Sequence, residues 1–140
     1  MKISTKGRYA IRFLLELAKN EKSCLSLKEV AENQNISKKY LEQIVPLLTN
    51  SGYLRATRGY RGGYMLSKDP KDCKIGEILR VTEGNLAPVA CLENTPIECE
   101  RKDRCLTLTL WNGLYSVICE YLDGITLQDL LDNKLKNTRK

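Results

Sequence analysis

The chain has 140 residues, 42% hydrophobic and 29% charged, which suits one domain, or one domain with an appendage, and leaves enough apolar material for a real core. It carries 23 Lys and Arg against 17 Asp and Glu, a net charge of +6, and no histidine. The missing histidine excludes a Ser-His-Asp or Cys-His catalytic centre, a histidine-ligated zinc site and a histidine pH switch.

The first element is an amphipathic helix over residues 6–19. Ala10, Phe13, Leu14, Leu17 and Ala18 recur at the spacing of one helical face. The start is basic and then apolar, like a signal peptide, but Arg12 and Glu16 interrupt the apolar stretch and Lys19 ends it. No run approaches the roughly 20 apolar residues of a membrane span, so a cytoplasmic protein is expected. Ser26 and Glu29 then form a capping box, with Leu25 and Val30 at the staple positions. The short helix they start presents Leu27, Val30 and Ala31 inward, and Glu32–Asn35 is expected as a polar turn after it. Ser37 caps a third helix with Leu41, Ile44, Val45 and Leu48 on its inner face. Two short helices across a tight turn make a helix-turn-helix. Pro46 removes one backbone donor and is expected to kink the third helix.

Asn50-Ser51-Gly52 ends that helix. Tyr53–Thr57 and Tyr64–Ser67 read as strands around the glycine-rich turn Arg58-Gly59-Tyr60-Arg61-Gly62-Gly63. From Arg55 to Lys68 there are four cations and no acid. A helix-turn-helix followed by a basic hairpin is the order of a winged helix, and the hairpin reads as a binding element in preference to an ordinary surface turn. Residues 1–70 hold 13 Lys and Arg against 6 Asp and Glu, so the positive excess lies in this half. A polyanion is the expected partner, nucleic acid ahead of an anionic membrane, because the cations sit on a hairpin and a helix end and not along one amphipathic face.

Asp69-Pro70 breaks the chain. Ile75, Ile78, Leu79 and Thr82 predict a short helix stopped by Gly84, and residues 85–104 are expected as a loop. A long helix over Leu106–Leu122 carries two apolar seams, Leu110, Leu114, Val117, Tyr121 and Trp111, Tyr115, Ile118, Leu122. Two adjacent seams are more than packing on one small domain requires, so a homodimer is expected. Thr126 caps a last short helix with Leu127, Leu130 and Leu131, and a polar, basic tail over Lys134–Lys140 is expected to fray. The expected divisions are a DNA-binding domain at 1–84, a cysteine-bearing loop at 85–105, and a dimerisation helix with the C-terminal helix at 106–140. The expected fold class is mainly α with a small β-hairpin.

Of the six cysteines, Cys24, Cys73 and Cys119 are scattered and read as small, partly buried apolar residues. Cys91, Cys99 and Cys105 instead stand as C-x₇-C-x₅-C within the loop, together with Glu93, Glu98, Glu100 and Asp103. Three thiols in fifteen residues favour a metal or cluster over disulfides or idle thiols.

On the DNA side, Ser37 and Lys38 open the third helix, where backbone N–H groups and the lysine charge suit a phosphate. Lys39, Tyr40 and Gln43 lie off the apolar face and suit a major groove, with Gln43 matched to adenine. Tyr40 has a second placement, packed at the edge of the helix-turn-helix. Glu42 suits cytosine N4, or restrains a basic neighbour. Arg58 and Arg61, flanking Tyr60, suit a narrow A·T-rich minor groove, and Lys2, Thr5, Lys6 and Arg8 add phosphate contacts. A dimer calls for a roughly palindromic double-stranded operator. With about four phosphates neutralised per protomer, log K falls with log salt at a slope of about −7.

Met1-Lys2-Ile3-Ser4-Thr5-Lys6-Gly7-Arg8-Tyr9-Ala10, Tyr40-Leu41-Glu42-Gln43, Arg58-Gly59 with Gly62-Gly63-Tyr64, and Cys105-Leu106-Thr107 with Leu110-Trp111 together resemble the Rrf-type winged-helix regulators, the family of IscR, CymR and NsrR. The resemblance implies a dimeric bacterial transcription regulator and not an enzyme. In the sensing branch it implies an iron–sulfur cluster held by Cys91, Cys99 and Cys105, of 2Fe–2S type in preference to 4Fe–4S. IscR-like members take a histidine three residues after the third cysteine as fourth ligand, and Leu108 stands there. NsrR-like members draw an aspartate from the partner's N-terminal region, and Arg8 stands there. The fourth ligand is then open: Glu93, Glu98, Glu100, Asp103, the Thr107 hydroxyl, another cysteine or an exogenous group. The alternative is a winged-helix repressor of cysteine or sulfur metabolism, controlled by thiol oxidation or a partner protein, without a cluster.

Overall fold

The computed structural model describes residues 1–136; the end of the expected frayed tail, 137–140, lies outside the described residues. The chain forms α1 (Thr5–Lys19), α2 (Leu27–Gln34), α3 (Lys38–Asn50), the hairpin β1 (Leu54–Thr57) and β2 (Gly63–Leu66), α4 (Ile75–Glu83), α5 (Leu108–Asp123) and α6 (Leu127–Leu131). This is the expected mainly helical winged helix with a long helix beyond it. No helix among the described residues is long and apolar enough to cross a membrane.

Local chemistry accounts for the boundaries. Ser4, Ser26, Ser37 and Thr126 each accept a backbone N–H of the first helical turn, and Ser26 with Glu29 closes the predicted capping box. The structure differs at the end of α2. Glu32–Gln34, expected as a turn, form its last turn, and only Asn35 leaves the helix, in the left-handed region at φ 53°. The reason is tertiary. Asn33 and Gln34 donate to the Glu16 carboxylate of α1 at 2.9 and 2.6 Å, and the Arg12 guanidinium donates to Gln34. Glu16 is buried, and these two amides satisfy it. The same network fixes α2 against α1.

The helix α3 continues through Pro46 to Asn50. In the hairpin, β1 and β2 pair antiparallel with Leu54 opposite Leu66 and Thr57 opposite Gly63. Leu25 pairs with Tyr64 through two backbone hydrogen bonds of 3.0 and 2.8 Å, so the segment before α2 anchors the second strand. Gly63 permits this approach, because a Cβ there would collide with the Leu25 carbonyl.

The core gathers Phe13, Leu14 and Leu17 of α1, Val30, Leu41, Ile44 and Leu48 of the helix-turn-helix, Ile78 and Leu79 of α4, and Leu127 of α6. The last of these comes from the far end of the chain. Ile75 N–H donates to Ile125 at 2.9 Å and Leu127 N–H donates to Cys73 at 2.9 Å, stitching α6 to the entrance of α4. Between them α5 makes an excursion, with Arg80 and Asp123 paired bidentately at 2.7 and 3.0 Å near its end.

The helix α5 starts at Leu108, two residues later than expected, because Cys105–Thr107 form a turn leading in. Its two seams part company. Trp111, Tyr115, Ile118 and Leu122 are half-buried, the last three against the core, whereas Leu110, Leu114, Val117 and Tyr121 are exposed. No residue of α5 is fully buried within this chain.

Candidate nucleic-acid interface and cysteine loop

The third helix divides as its pattern predicts. Leu41, Ile44 and Leu48 are fully buried, and Lys38, Lys39, Glu42 and Gln43 are exposed. Ser37 Oγ accepts the Tyr40 N–H at 3.0 Å, which fixes the first turn that carries the two lysines. Tyr40 takes the second of its two expected placements in part: it is half-buried, edge-on to Tyr9 with ring centroids 5.2 Å apart. Arg12 lies over the other ring, 5.2 Å from the Tyr9 centroid.

On the hairpin, Arg58, Tyr60 and Arg61 are all exposed, and Tyr60 wholly so. The reversal needs glycine twice. Gly59 has φ 113°, and a Cβ on Gly62 would meet the Thr57 carbonyl. Gly62 N–H closes the turn on Gly59 at 2.9 Å. At the base of the hairpin, the Cys24 thiol donates to Thr57 Oγ1 at 3.3 Å.

Ahead of α1, Lys2 is exposed; on its first turn Thr5 and Lys6 are half-buried, and the exposed Arg8 donates to Thr5 Oγ1 at 3.0 Å. Among the described residues the ion pairs are Arg80–Asp123 and Lys134–Asp132. None of the cations at 2, 6, 8, 38, 39, 58 or 61 is neutralised by an ion pair there.

The cysteine loop is built differently. It is irregular apart from short turns at Ala90–Leu92 and Lys102–Arg104, and Leu86 and Leu92 are its buried anchors. Cys91 and Cys105 are half-buried and Cys99 is exposed, and all six cysteines of the chain are free thiols. Glu93, Glu98, Glu100 and Asp103 point to no common centre with them: among the described residues no three His, Cys, Asp or Glu side chains meet where a metal ion would sit. The structure therefore does not assemble the expected Cys91, Cys99, Cys105 constellation. The Thr107 hydroxyl lies 3.3 Å from Cys105 Sγ. That contact, followed by backbone hydrogen bonds and the nearby Arg101 charge, holds the Cys105 thiol below its usual range. In contrast, burial pushes the Cys73 thiol up to about 11, in keeping with its expected role as a core residue. Leu108 is half-buried and Arg8 exposed at the two positions where relatives were expected to supply a fourth ligand.

Sequence reasoning missed two participants. Leu25 holds the hairpin through backbone atoms alone, which leaves no side-chain signature. Glu16 reads in the sequence only as an interruption of the apolar stretch, whereas it is a buried carboxylate held by Asn33 and Gln34. A cavity of about 440 Å³ also lies between Met1 and Ile3, the start of the loop at Leu86, and Ile118 and Leu122 of α5.

A family model described as "Rrf2: Iron-dependent Transcriptional regulator" matches residues 3–133. The HTH-type transcriptional regulator CymR of Bacillus subtilis is 41% identical over 131 residues, covering 93% of this chain and 89% of that protein. Its solved structure, described as CymR (YrzC), the global cysteine regulator of B. subtilis, superposes with a TM-score of 0.79 at 40% identity, over 95% of this chain and 98% of that one. The structure of T. potens IscR superposes with a TM-score of 0.77 at 34% identity, over 100% of this chain and 93% of that one. The oxidised form of Staphylococcus aureus CymR gives 0.72 at 36% identity, over 99% and 100%.

Proposed function

Since this chain belongs to the Rrf2 family of transcriptional regulators, which are not enzymes, we propose that it is a dimeric operator-binding regulator governed by chemistry at its cysteine loop. The observation that carries the DNA reading is the set of cations left without acidic partners at the N-terminal end of α3 and on the hairpin. Ser37 and Lys38 meet a phosphate, Lys39 and Gln43 enter the major groove, and Tyr40 borders it. Arg58, Tyr60 and Arg61 take the adjacent minor groove, while Lys2, Thr5, Lys6 and Arg8 hold backbone phosphates. The exposed seam Leu110, Leu114, Val117 and Tyr121 packs on its symmetry mate, and two such protomers read a roughly palindromic double-stranded operator.

For the sensor, the reading is an iron–sulfur cluster on Cys91, Cys99 and Cys105, 2Fe–2S in preference to 4Fe–4S. Three thiolates are donors of the right kind, and the set lacks a fourth protein ligand of known identity. The thiols are not assembled, so ligation requires the loop to draw together. If a cluster were bound, Cys91, Cys99 and Cys105 would hold it, and tying these three loop positions to one point just before α5 would shift one winged helix relative to the other. A second reading has its own support: the half-buried Cys105, whose thiol the Thr107 hydroxyl holds below its usual range, suits direct thiol oxidation. The relatives include a regulator described by its cysteine role and one solved in an oxidised form.

The test is an anaerobic purification with a visible absorption spectrum and iron and acid-labile sulfide counts, on wild type and Cys99→Ala. A brown, sulfide-bearing protein bleached by the substitution establishes the cluster. A colourless protein without sulfide, even after reconstitution, refutes it and passes the loop to thiol oxidation.

A further inference from the structure

Glu83 occupies a place that its own helix does not favour. It is the last residue of α4, where the helix dipole repels a carboxylate. Its side chain instead serves α1. Glu83 Oε1 accepts the Ser4 backbone N–H at 3.0 Å and the Ser4 hydroxyl at 2.6 Å. The Ser4 hydroxyl, having given its one proton to Glu83, accepts the Gly7 N–H at 3.0 Å as the cap of α1. The first turn of α1 has no acid of its own, so Glu83 supplies across 79 residues the negative charge that the helix start prefers. Gly7 is the third member. A Cβ there would run into Glu83 Oε1, and would stand 3.1 Å from both Leu79 and Thr82, so only glycine lets the carboxylate come this close.

We infer that Glu83 is a positioning residue for DNA binding: through Ser4 it holds the first turn of α1, and with it the phosphate-facing Lys2, Thr5, Lys6 and Arg8, in a fixed register against the winged helix. This rests on the DNA reading above. The cations concerned sit on the irregular segment before α1 and on its first turn, and long side chains on an unheld turn lose most of their phosphate contacts to entropy. The Ser4 bridge is what removes that freedom. Loss of the carboxylate leaves α3 and the hairpin untouched, so sequence discrimination survives while backbone contacts fall.

The experiment uses full-length protein and a duplex operator recovered by selection from random DNA. Wild type, Glu83→Ala, Ser4→Ala, the double variant and Leu79→Val, a destabilised control at the same α1–α4 contact, are titrated across a salt series. All are checked to be folded at the working temperature. Glu83→Ala is expected to shallow the log–log salt slope by about 2 for the dimer, one phosphate per protomer, with unchanged preference between operator and scrambled duplex. The double variant should match Glu83→Ala, and Leu79→Val should keep the wild-type slope. An unchanged slope in Glu83→Ala, additive losses in the double variant, or an equal loss in Leu79→Val overturns the inference. If wild type selects no DNA, the DNA reading itself fails. Amide exchange at Gly7 then decides whether the bridge orders α1: unaltered protection in Glu83→Ala refutes it, and selective loss supports it.

Discussion

The helix-turn-helix and the cysteine loop with α5 sit in one short chain and are finished to different degrees. In the first, the amides of Asn33 and Gln34 at the end of α2 satisfy the buried Glu16 carboxylate of α1. Leu41, Ile44 and Leu48 are sealed from solvent, and what α3 leaves outside is polar or charged apart from Pro46. In the second, five large apolar side chains, Leu106 and the four of the bare seam, face water and three thiols stand apart. The first region is complete within one chain. The second has an apolar face left bare, the kind of surface on which the proposed second copy would pack. Local rules suffice for a structure that closes on itself, and they fall short where closure is intermolecular.

The largest test of that contrast is Leu114→Asp. It should convert the dimer to monomer in light scattering and cost more than a hundredfold in operator affinity, while circular dichroism stays native. A dimer that survives would remove the exposed seam from the interface. Next, Phe13→Ala should cost about 3–5 kcal/mol of unfolding free energy by denaturant titration, whereas Leu110→Ala should change the stability of dilute monomer by less than about 0.5 kcal/mol. Comparable losses at both sites would erase the distinction between a closed and an open region. Arg58→Ala should weaken binding to A·T-flanked operators by about 1–3 kcal/mol at fixed salt, and unchanged affinity would take Arg58 out of the wing role. Ser26→Ala should cost about 1 kcal/mol through the lost cap, read from thermal melts.

The smallest effect is a shift in reactivity. The Thr107 hydroxyl favours the Cys105 thiolate, so Thr107→Ala should move the pH midpoint of Cys105 alkylation upward. The sign is fixed: a lowered thiol value means thiolate at lower pH, and removing its cause returns the midpoint towards the ordinary thiol range. Cys73, pushed up to about 11 and buried, should resist alkylation until the protein unfolds. A rate at Cys73 equal to that at Cys105 in native protein would contradict both environments.

The order of elements was readable in the residues because it rests on short-range chemistry. Ser26 with Glu29, Ser37 before Leu41, and Gly84 after Glu83 each announce a boundary within four residues. The exposed half of the recognition helix followed from the same periodicity. What escaped depended on partners far along the chain. Glu32–Gln34 looked like a turn because their helical state depends on Glu16 and Arg12. The bond from Ser4 to Glu83 spans 79 positions and leaves no spacing to notice. The cysteine spacing was plain in the sequence, but spacing along an irregular loop does not fix where the sulfurs meet. The two seams of α5 were equally visible, and only the packing of Tyr115, Ile118 and Leu122 on the core distinguishes the covered one from the bare one.

The seating of Leu127 beside α1, with Ile75 and Leu127 bonded across to Ile125 and Cys73, has a consequence for how the molecule breaks. The loop of residues 93–104 is bordered on both sides by segments that end in the same core. A protease that cuts there severs the polypeptide but not the particle. The two pieces should co-elute under native conditions and separate only in denaturant, and the nicked protein should retain its winged helix with the cysteine loop open at one bond.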